Sequence, residues 1–164
     1  MPSSRSLTLE QVLTVLAQTP PRIAELTASL TPAQLHTAPR HGEWSVNDVL
    51  AHLRSCADVW GDCIALIIEQ DAPTIRAVNP TTWIKSADYP EQKFKTSLRA
   101  FSAHRTDLLA ILETLTPKAW SRTATVTGAG KPLERTLHGF AQRLARHERP
   151  HLKQIERLVN TIST

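Results

Sequence analysis

The chain has 164 residues, of which 41% are hydrophobic and 21% are charged, a size and balance typical of one soluble globular domain spanning residues 1–164. Its net charge of +4 is spread along the chain without an aromatic–basic recognition motif, so nucleic-acid binding is not expected. No apolar stretch approaches the roughly 20 residues of a membrane span, and the first six residues lack the apolar region of a signal peptide. We therefore expect a cytoplasmic protein that binds neither nucleic acid nor membrane.

The first predicted helix covers about residues 8–30. Thr8 and Gln11 have the spacing of a capping box, in which each side chain accepts a hydrogen bond from the other residue's backbone N–H. Pro20-Pro21 interrupts the pattern, because proline lacks the N–H that a helix interior needs. Two interpretations stay open: a single kinked helix, or two short helices with Thr19 as the cap of the second.

The second predicted helix starts after Ser45, a good N-cap residue, and ends before Pro73. Cys56 and Cys63 lie seven residues apart on this helix, about 10 Å along its axis. That separation is too large for a disulfide bond. Both cysteines are therefore expected to be free thiols, as in a reducing compartment.

Two further helices are predicted, one over about residues 91–115 and one from Pro132, a suitable first helical residue, to about residue 160. Residues 72–90 are rich in turn signals and predict a long crossing loop. Residues 121–131 show a short alternation, which predicts at most a brief extended segment and no sheet. Four long helices without a series of strands favour an all-α four-helix bundle.

Apolar residues recur every three or four positions along the last helix, and two histidines lie in the same row. The row consists of Leu137, Phe140, Leu144, His147, His151, Ile155 and Leu158. Because His147 and His151 are four residues apart, their rings lie one above the other on the interior face. An unsatisfied buried polar group costs about 1–3 kcal/mol. One divalent metal ion would satisfy both imidazoles.

His52 is the candidate third ligand, because a bundle lets one helix add a nitrogen to a pair presented by another. It lies in an almost entirely apolar part of the second helix. Three protein ligands with an open position are typical of catalytic zinc-like sites. Cys56, four residues after His52, is either a fourth ligand or a small core residue.

The segment from His147 to His151 also matches the H-E-x-x-H pattern of zinc metalloproteases. Gln154 and Arg157 occupy the positions of the metzincin extension, and only 13 residues follow His151. Pro150 also removes a helical hydrogen bond between the two histidines. A protease is therefore not predicted, although the metal geometry is retained.

The other four histidines are not predicted to be ligands. His36 and His41 are expected in a surface loop, and His104 is expected at the edge of the core. His138 lies nine residues before His147 and so points about half a turn away from it.

These residues give the chain a resemblance to the DinB-like family (DinB/YfiT) of bacterial metal-binding four-helix bundles. Gly42-Glu43-Trp44-Ser45-Val46 leads into Val49-Leu50-Ala51-His52-Leu53, and His147-Glu148 is followed by His151 and Gln154-Ile155. The family pattern has one histidine early in the second helix and an H-x-x-x-H pair in the last. His52, His147 and His151 match that pattern, and the similarity spans nearly the whole chain.

The resemblance implies an up-down-down-up bundle, a divalent ion such as zinc or nickel on the three histidines, and a homodimer. Some members of the family use a low-molecular-weight thiol (bacillithiol, mycothiol or glutathione) to transfer or isomerise their substrates. The family name refers to induction by DNA damage, which implies a role in stress response. The expected partners are accordingly a small-molecule substrate and a thiol.

Two functions are compatible with this pattern. In the first, the three histidines hold an ion that activates water or a thiol, in a hydrolase or a thiol transferase. Glu148 is then either a catalytic base or a solvated helix charge, and Arg146 and Arg149 bind a substrate carboxylate or lie at the surface. In the second, the bundle is non-catalytic, with a structural or vestigial metal site, and acts by binding a partner.

Overall fold

The computed structural model describes residues 6–163. Their helices are α1 (Leu9–Thr27), α2 (Pro32–His36), α3 (Val46–Glu69), α4 (Pro80–Trp83), α5 (Phe94–Leu112), α6 (Pro117–Trp120) and α7 (Leu137–Ser163). Their strands are β1 (Thr74–Arg76), β2 (Thr123–Thr127) and β3 (Leu133–Thr136). The expectation that the chain starts without a signal peptide falls largely on residues 1–5, which lie outside the described residues. Within residues 6–163, no helix combines the length and apolar character needed to cross a bilayer.

Helices α3 and α7 pack side by side and run in opposite directions. Near one end of their contact, His52 faces His151, with ring centroids 4.9 Å apart. Near the other end, the guanidinium of Arg143 lies over the ring of Trp60. A higher residue number on α3 thus pairs with a lower one on α7, as antiparallel packing requires.

Helix α1 runs parallel to α7. The backbone N–H of Leu7, just before α1, donates to the side chain of Gln142 at 2.6 Å. Further along both helices, Arg105 donates to the carbonyl of Leu16 and to the carboxylate of Glu148. From the first contact to the second, the residue number increases on both helices, so α1 and α7 point the same way.

Helix α5 runs parallel to α3 and completes the bundle. Arg54 donates to Ser97 at 2.9 Å, and about two helical turns further along both helices, Gly61 faces the ring of His104. With α1 and α7 pointing up, α3 and α5 point down. The expected up-down-down-up four-helix bundle is confirmed.

Helix α1 is continuous through Pro20-Pro21, so the interpretation as a single helix is correct. The capping box at Thr8 is present, whereas Thr19 caps nothing and donates to the carbonyl of Val15 at 3.0 Å. Because Pro20 has no N–H, it cannot bond the carbonyl four residues earlier, that of Leu16. The side chain of Arg105 replaces this donor, at 2.9 Å.

A small three-stranded sheet, which the sequence did not predict, lies beside the bundle. β1 pairs with β2 in parallel, and β2 pairs with β3 in antiparallel fashion. The β2–β3 turn contains Gly128 and Gly130, both at positive φ, a region that favours glycine. The predicted start of the last helix at Pro132 is wrong, because residues 133–136 are used as a strand and the helix begins at Leu137.

The other boundaries also differ somewhat from those predicted. The third long helix covers Phe94–Leu112, which is shorter than the predicted 91–115, since a 3-10 turn occupies Tyr89–Glu91. The second starts after Ser45, whose side chain accepts from the N–H of Asp48 in a full capping box. Residues 72–90 cross the bundle as predicted and contain β1 and α4.

An ion pair between Arg105 on α5 and Glu148 on α7 lies in the interior of the bundle. Arg105 is 1% exposed and Glu148 is 0% exposed. Nη1 donates to Oε1 at 2.8 Å, and Nη2 donates to Oε2, a bidentate arrangement. Because Nη1 also donates to Leu16, one guanidinium links α1, α5 and α7.

We predict that breaking this pair strongly destabilises the protein. Glu148→Leu leaves the buried guanidinium of Arg105 without its counter-charge, and we expect the free energy of unfolding to fall by about 3–5 kcal/mol in urea denaturation. The double variant Arg105→Met/Glu148→Leu removes both charges and should recover most of that loss. Arg22→Met, which breaks the exposed pair with Glu25, is the control and should cost less than about 1 kcal/mol. A loss of similar size in the control and in Glu148→Leu would contradict the prediction.

Candidate metal centre

Three histidine rings from two helices converge on one point of the α3–α7 contact. His52 comes from α3, and His147 and His151 come from successive turns of α7. The Nε2 atom of His147 lies 3.1 Å from that of His52 and 3.2 Å from that of His151. Among the described residues, these three form the single group of histidine, cysteine or acidic side chains compact enough to hold one ion.

The hydrogen bond between His151 and Gln154 indicates which ring nitrogen of His151 has a free lone pair directed at the cluster. Nδ1 lies 2.8 Å from Oε1 of Gln154, an oxygen that can only accept, so Nδ1 carries the proton. Nε2 of His151 then presents a lone pair to the other two rings. This is the outer-shell bond by which proteins orient metal-binding histidines.

The spacing of the nitrogens fits a divalent ion. Nitrogens bound to one tetrahedral ion at about 2.0–2.1 Å lie about 3.3 Å apart, close to the 3.1 and 3.2 Å separations found here. Without an ion, at most one hydrogen can lie between each pair of nitrogens, and lone pairs that face each other repel. Nδ1 of His147 is buried and has no partner in the described part of the chain, so that ring has little other polar support.

Burial favours the neutral form of two of the rings, His52 and His147, and ligation requires that form. Desolvation, reinforced by His151, His52 and Arg143, lowers the pKa of His147 from 6.5 to about 4. Desolvation and the nearby His151 also lower the pKa of His52. At neutral pH these two imidazoles are therefore available to a cation without first losing a proton.

Two tryptophans border the cluster, and the sequence did not identify them as part of the site. Trp44 precedes the cap of α3 and stacks on His151 at an interplanar angle of 13°. The rings of Trp60 and His147 are nearly perpendicular, with centroids 5.1 Å apart. Trp44 lies within the Gly-Glu-Trp-Ser motif, which was the available signal, whereas Trp60 looked like an ordinary core residue.

Cys56 lies beside the cluster, with Sγ 3.7 Å from Nε2 of His52 and 3.8 Å from Nε2 of His147. It is 1% exposed. Burial, followed by the charge of Glu148, raises the pKa of its thiol to about 12, although Arg143 acts in the opposite direction. Cys56 is not part of the group of side chains whose ligand atoms all lie within 4.8 Å of one another, which fits the core-residue interpretation better than the fourth-ligand interpretation. Cys56 and Cys63 are both free, as predicted.

The expectation for Glu148 needs correction. It is not a solvated helix charge, because its side chain is fully buried. Both of its carboxylate oxygens accept from Arg105, so the guanidinium occupies them both, which argues against a catalytic base. The error arose because the sequence showed its position next to His147 but not the arginine opposite it.

The remaining histidines lie outside the cluster. His41 is exposed in a loop, and His36 ends α2, where Nε2 accepts from the N–H of Phe94. His104 lies 4.0 Å from a carboxylate oxygen of Asp58. His138 has its Nε2 2.9 Å from the carbonyl of Leu7.

The arginines of α7 differ in position. Arg149 is exposed and Arg146 is half-buried. Arg143, which the sequence did not single out, lies one helical turn before His147, with its Cζ 5.0 Å from the centroid of Trp60. The contact with Trp60, which borders the cluster, places the guanidinium of Arg143 near the histidines.

We predict that the metal-free protein loses stability as the pH falls from 6.5 to 4. In this range His147 is protonated in the unfolded chain but stays neutral in the folded protein, where its pKa is lowered to about 4. The unfolded state then binds more protons, so the free energy of unfolding decreases with falling pH. His147→Leu removes this contribution, and its Tm should decline less steeply when measured in chelator. His41→Leu is the control, and equal slopes for His147→Leu and the parent protein would contradict the prediction.

We also predict that Gln154 supports metal affinity without binding the metal. Gln154→Ala removes the acceptor that orients His151 and should weaken zinc binding by about 10–100-fold. Competition with a chromophoric chelator measures the effect. The neighbouring exposed Lys153→Ala is the control and should bind zinc as the parent protein does. An unchanged affinity in Gln154→Ala would show that the bond does not orient the ring.

Comparisons with known proteins agree with this architecture. The structure of YfiT from Bacillus subtilis superposes on this chain with a TM-score of 0.80 at 22% identity, over 99% of this chain and 93% of YfiT. YfiT is described as a probable metal-dependent hydrolase with an unusual four-helix bundle topology. A protein from Geobacillus kaustophilus whose name proposes a metal-dependent hydrolase is 27% identical over 137 residues, which cover 80% of this chain and 72% of that protein. The model of the DinB superfamily matches residues 16–155. The chain therefore belongs to the DinB superfamily.

Proposed function

We propose that this protein is a divalent-metal-dependent hydrolase with His52, His147 and His151 as its metal ligands. The observation that carries the proposal is the convergence of three Nε2 atoms, 3.1 and 3.2 Å apart where they meet at His147. The names of the similar proteins support the same reaction class. Imidazole nitrogens suit zinc and nickel equally as ligand types, so both ions are candidates.

Three histidines are fewer than the four ligands that a zinc-like ion takes, so an ion held by them would keep a position for water or a thiol. Such an ion supplies Lewis acidity, which lowers the pKa of a water or a thiol and makes a nucleophile available near neutral pH. The residues of the chain supply neutral nitrogens, and the Gln154 bond orients one of them. Trp60 is 8% exposed and closes the inner side of the cluster, so access to the ion comes from another direction.

Access is provided by a cleft of about 650 Å³ between residues 39–44 and the C-terminal half of α7. His151 and Trp44 line this cleft, so one ligand ring lies in its wall. Trp44 is 42% exposed and offers an aromatic surface to a small-molecule substrate next to the cluster. A structural metal site is usually closed by four protein ligands, whereas three rings beside an open cleft favour catalysis over the non-catalytic alternative.

The nucleophile is water in a hydrolase and a low-molecular-weight thiol in a thiol transferase. The proposal favours water, because the similar proteins are named for hydrolysis. Glu148 has no catalytic role in this proposal, since Arg105 occupies its carboxylate. We assign it instead to holding α7 in position, and no other side chain is assigned as a base.

The proposal predicts that one metal ion per chain is needed for turnover. Untagged protein loaded with zinc or with nickel is analysed for bound metal by plasma mass spectrometry, then assayed on esters and amides with and without bacillithiol or glutathione. His52→Ala and His147→Ala should each lose both the metal and the activity, while the exposed His41→Ala keeps both. Activity that requires the added thiol identifies a transferase. A protein that takes up far less than one ion per chain, or that turns over equally well without its ion, would overturn the proposal.

A further inference from the structure

A second cavity lies one helical turn along the α3–α7 contact from the histidines, under the small sheet. It has a volume of about 440 Å³ and is enclosed by α3, α7, the β2–β3 hairpin and the segment after β1. Most of its lining is apolar, including Val59, Ile75 and Phe140. The side chains of Arg135 and Arg143 also line it, and no aspartate or glutamate does so within the described residues.

The two arginines are not neutralised by neighbouring carboxylates. Arg22, Arg105 and Arg122 each have a carboxylate oxygen within 4.0 Å, whereas over residues 6–163 neither Arg135 nor Arg143 has one. Two positive charges are therefore available on a mostly apolar wall, where Arg143 is exposed and Arg135 is half-buried. An anion that enters the cavity would gain charge-assisted hydrogen bonds without displacing an internal partner.

Electrostatic effects agree with a positive wall. Burial, followed by the charge of Asp62, raises the pKa of the Cys63 thiol, which also lines the cavity, to about 11. The charge of Arg143 acts in the opposite direction on the same thiol. The positive field of Arg143 thus reaches the cavity, although Asp62 opposes it from outside the lining.

Arg143 also lies at a defined distance from the histidine cluster. It is four residues before His147 on α7, about 6 Å along the helix axis. Its guanidinium carbon lies 5.0 Å from the ring centroid of Trp60, and that centroid lies 5.1 Å from the ring centroid of His147. A cation–π contact of this kind keeps the guanidinium next to the cavity.

We infer that this cavity binds an amphipathic carboxylate, with its apolar group on the apolar wall and its carboxylate on Arg143 and Arg135. A planar guanidinium is matched to a carboxylate, and two guanidinium groups in a mostly apolar cavity suit a single carboxylate. Trp60 lines this cavity and also packs against His147, whereas the substrate of the metal centre enters through the cleft beside Trp44. The inference therefore does not rest on the proposed function.

The test uses 4-phenylbutyrate and its neutral amide as matched probes. Each is titrated into the full chain, as purified and after chelator treatment, with calorimetry and tryptophan fluorescence as readouts. We expect the carboxylate to bind and the amide to bind at least tenfold more weakly. Arg143→Gln should weaken carboxylate binding by about 10- to 100-fold, while Lys153→Gln, which removes a charge from an exposed position of α7, leaves it unchanged.

A second pair of variants tests the charge of the cavity without altering an arginine. Leu133 lines the cavity and is 49% exposed, so Leu133→Glu should fold and place an acid near the two arginines. Leu133→Glu should weaken the binding of 4-phenylbutyrate at least tenfold. Ile111→Glu makes the same change at a 46% exposed position away from the cavity, and should have no effect.

The outcomes separate this inference from the proposed function. If the carboxylate binds only when an ion is present, or binding is lost in His147→Ala, the carboxylate lies on the ion and the inference fails while the proposed function stands. If the carboxylate binds through Arg143 in a protein that never takes up metal, the inference stands and the proposed function fails. Equal binding of acid and amide, no binding of either, or an unaffected Arg143→Gln would also overturn it.

Discussion

The buried ion pair between Arg105 and Glu148 is the constraint on which the rest of the arrangement depends. A bidentate pair in the interior tolerates little displacement, because an unpaired buried charge is strongly unfavourable. Glu148 follows His147 directly, about 100° around the helix. Once Glu148 points toward α5, His147 and His151 point toward α3, where His52 lies opposite them. The rotation of α7, and with it the convergence of the three rings, is thus coupled to a contact on its other side.

The histidine cluster combines two properties that usually conflict, since His52 and His147 are buried enough to stay neutral while His151 lies near solvent. Desolvation is the largest cause of the lowered pKa of His147, and Trp60 supplies part of that apolar surrounding. On the other side, His151 lies in the wall of an open cleft. A site of this kind can bind a cation at neutral pH and still exchange small molecules.

Much of this structure was predictable because its signals are local. The capping boxes at Thr8 and Ser45 involve residues three apart, and the row containing His147 is a property of one helix. The parts that were missed depend on distant contacts. Strand β3 exists because it pairs with β2 across a hairpin, although Pro132 just before it is a good helix start. The ion pair of Glu148 joins residues 43 positions apart, and no residue near Glu148 in the sequence indicates that Arg105 is its partner.

Pro20 illustrates how a local defect can become a long-range connection. The missing N–H leaves the carbonyl of Leu16 without its helical donor, and Arg105, 89 residues away in the chain, supplies one from α5. Helix propensity alone predicts that replacing Pro20 with alanine stabilises α1. That replacement would give the same oxygen a second donor, which it would share with Arg105. A substitution that favours helix formation in α1 would thereby act on a contact that joins α1 to α5.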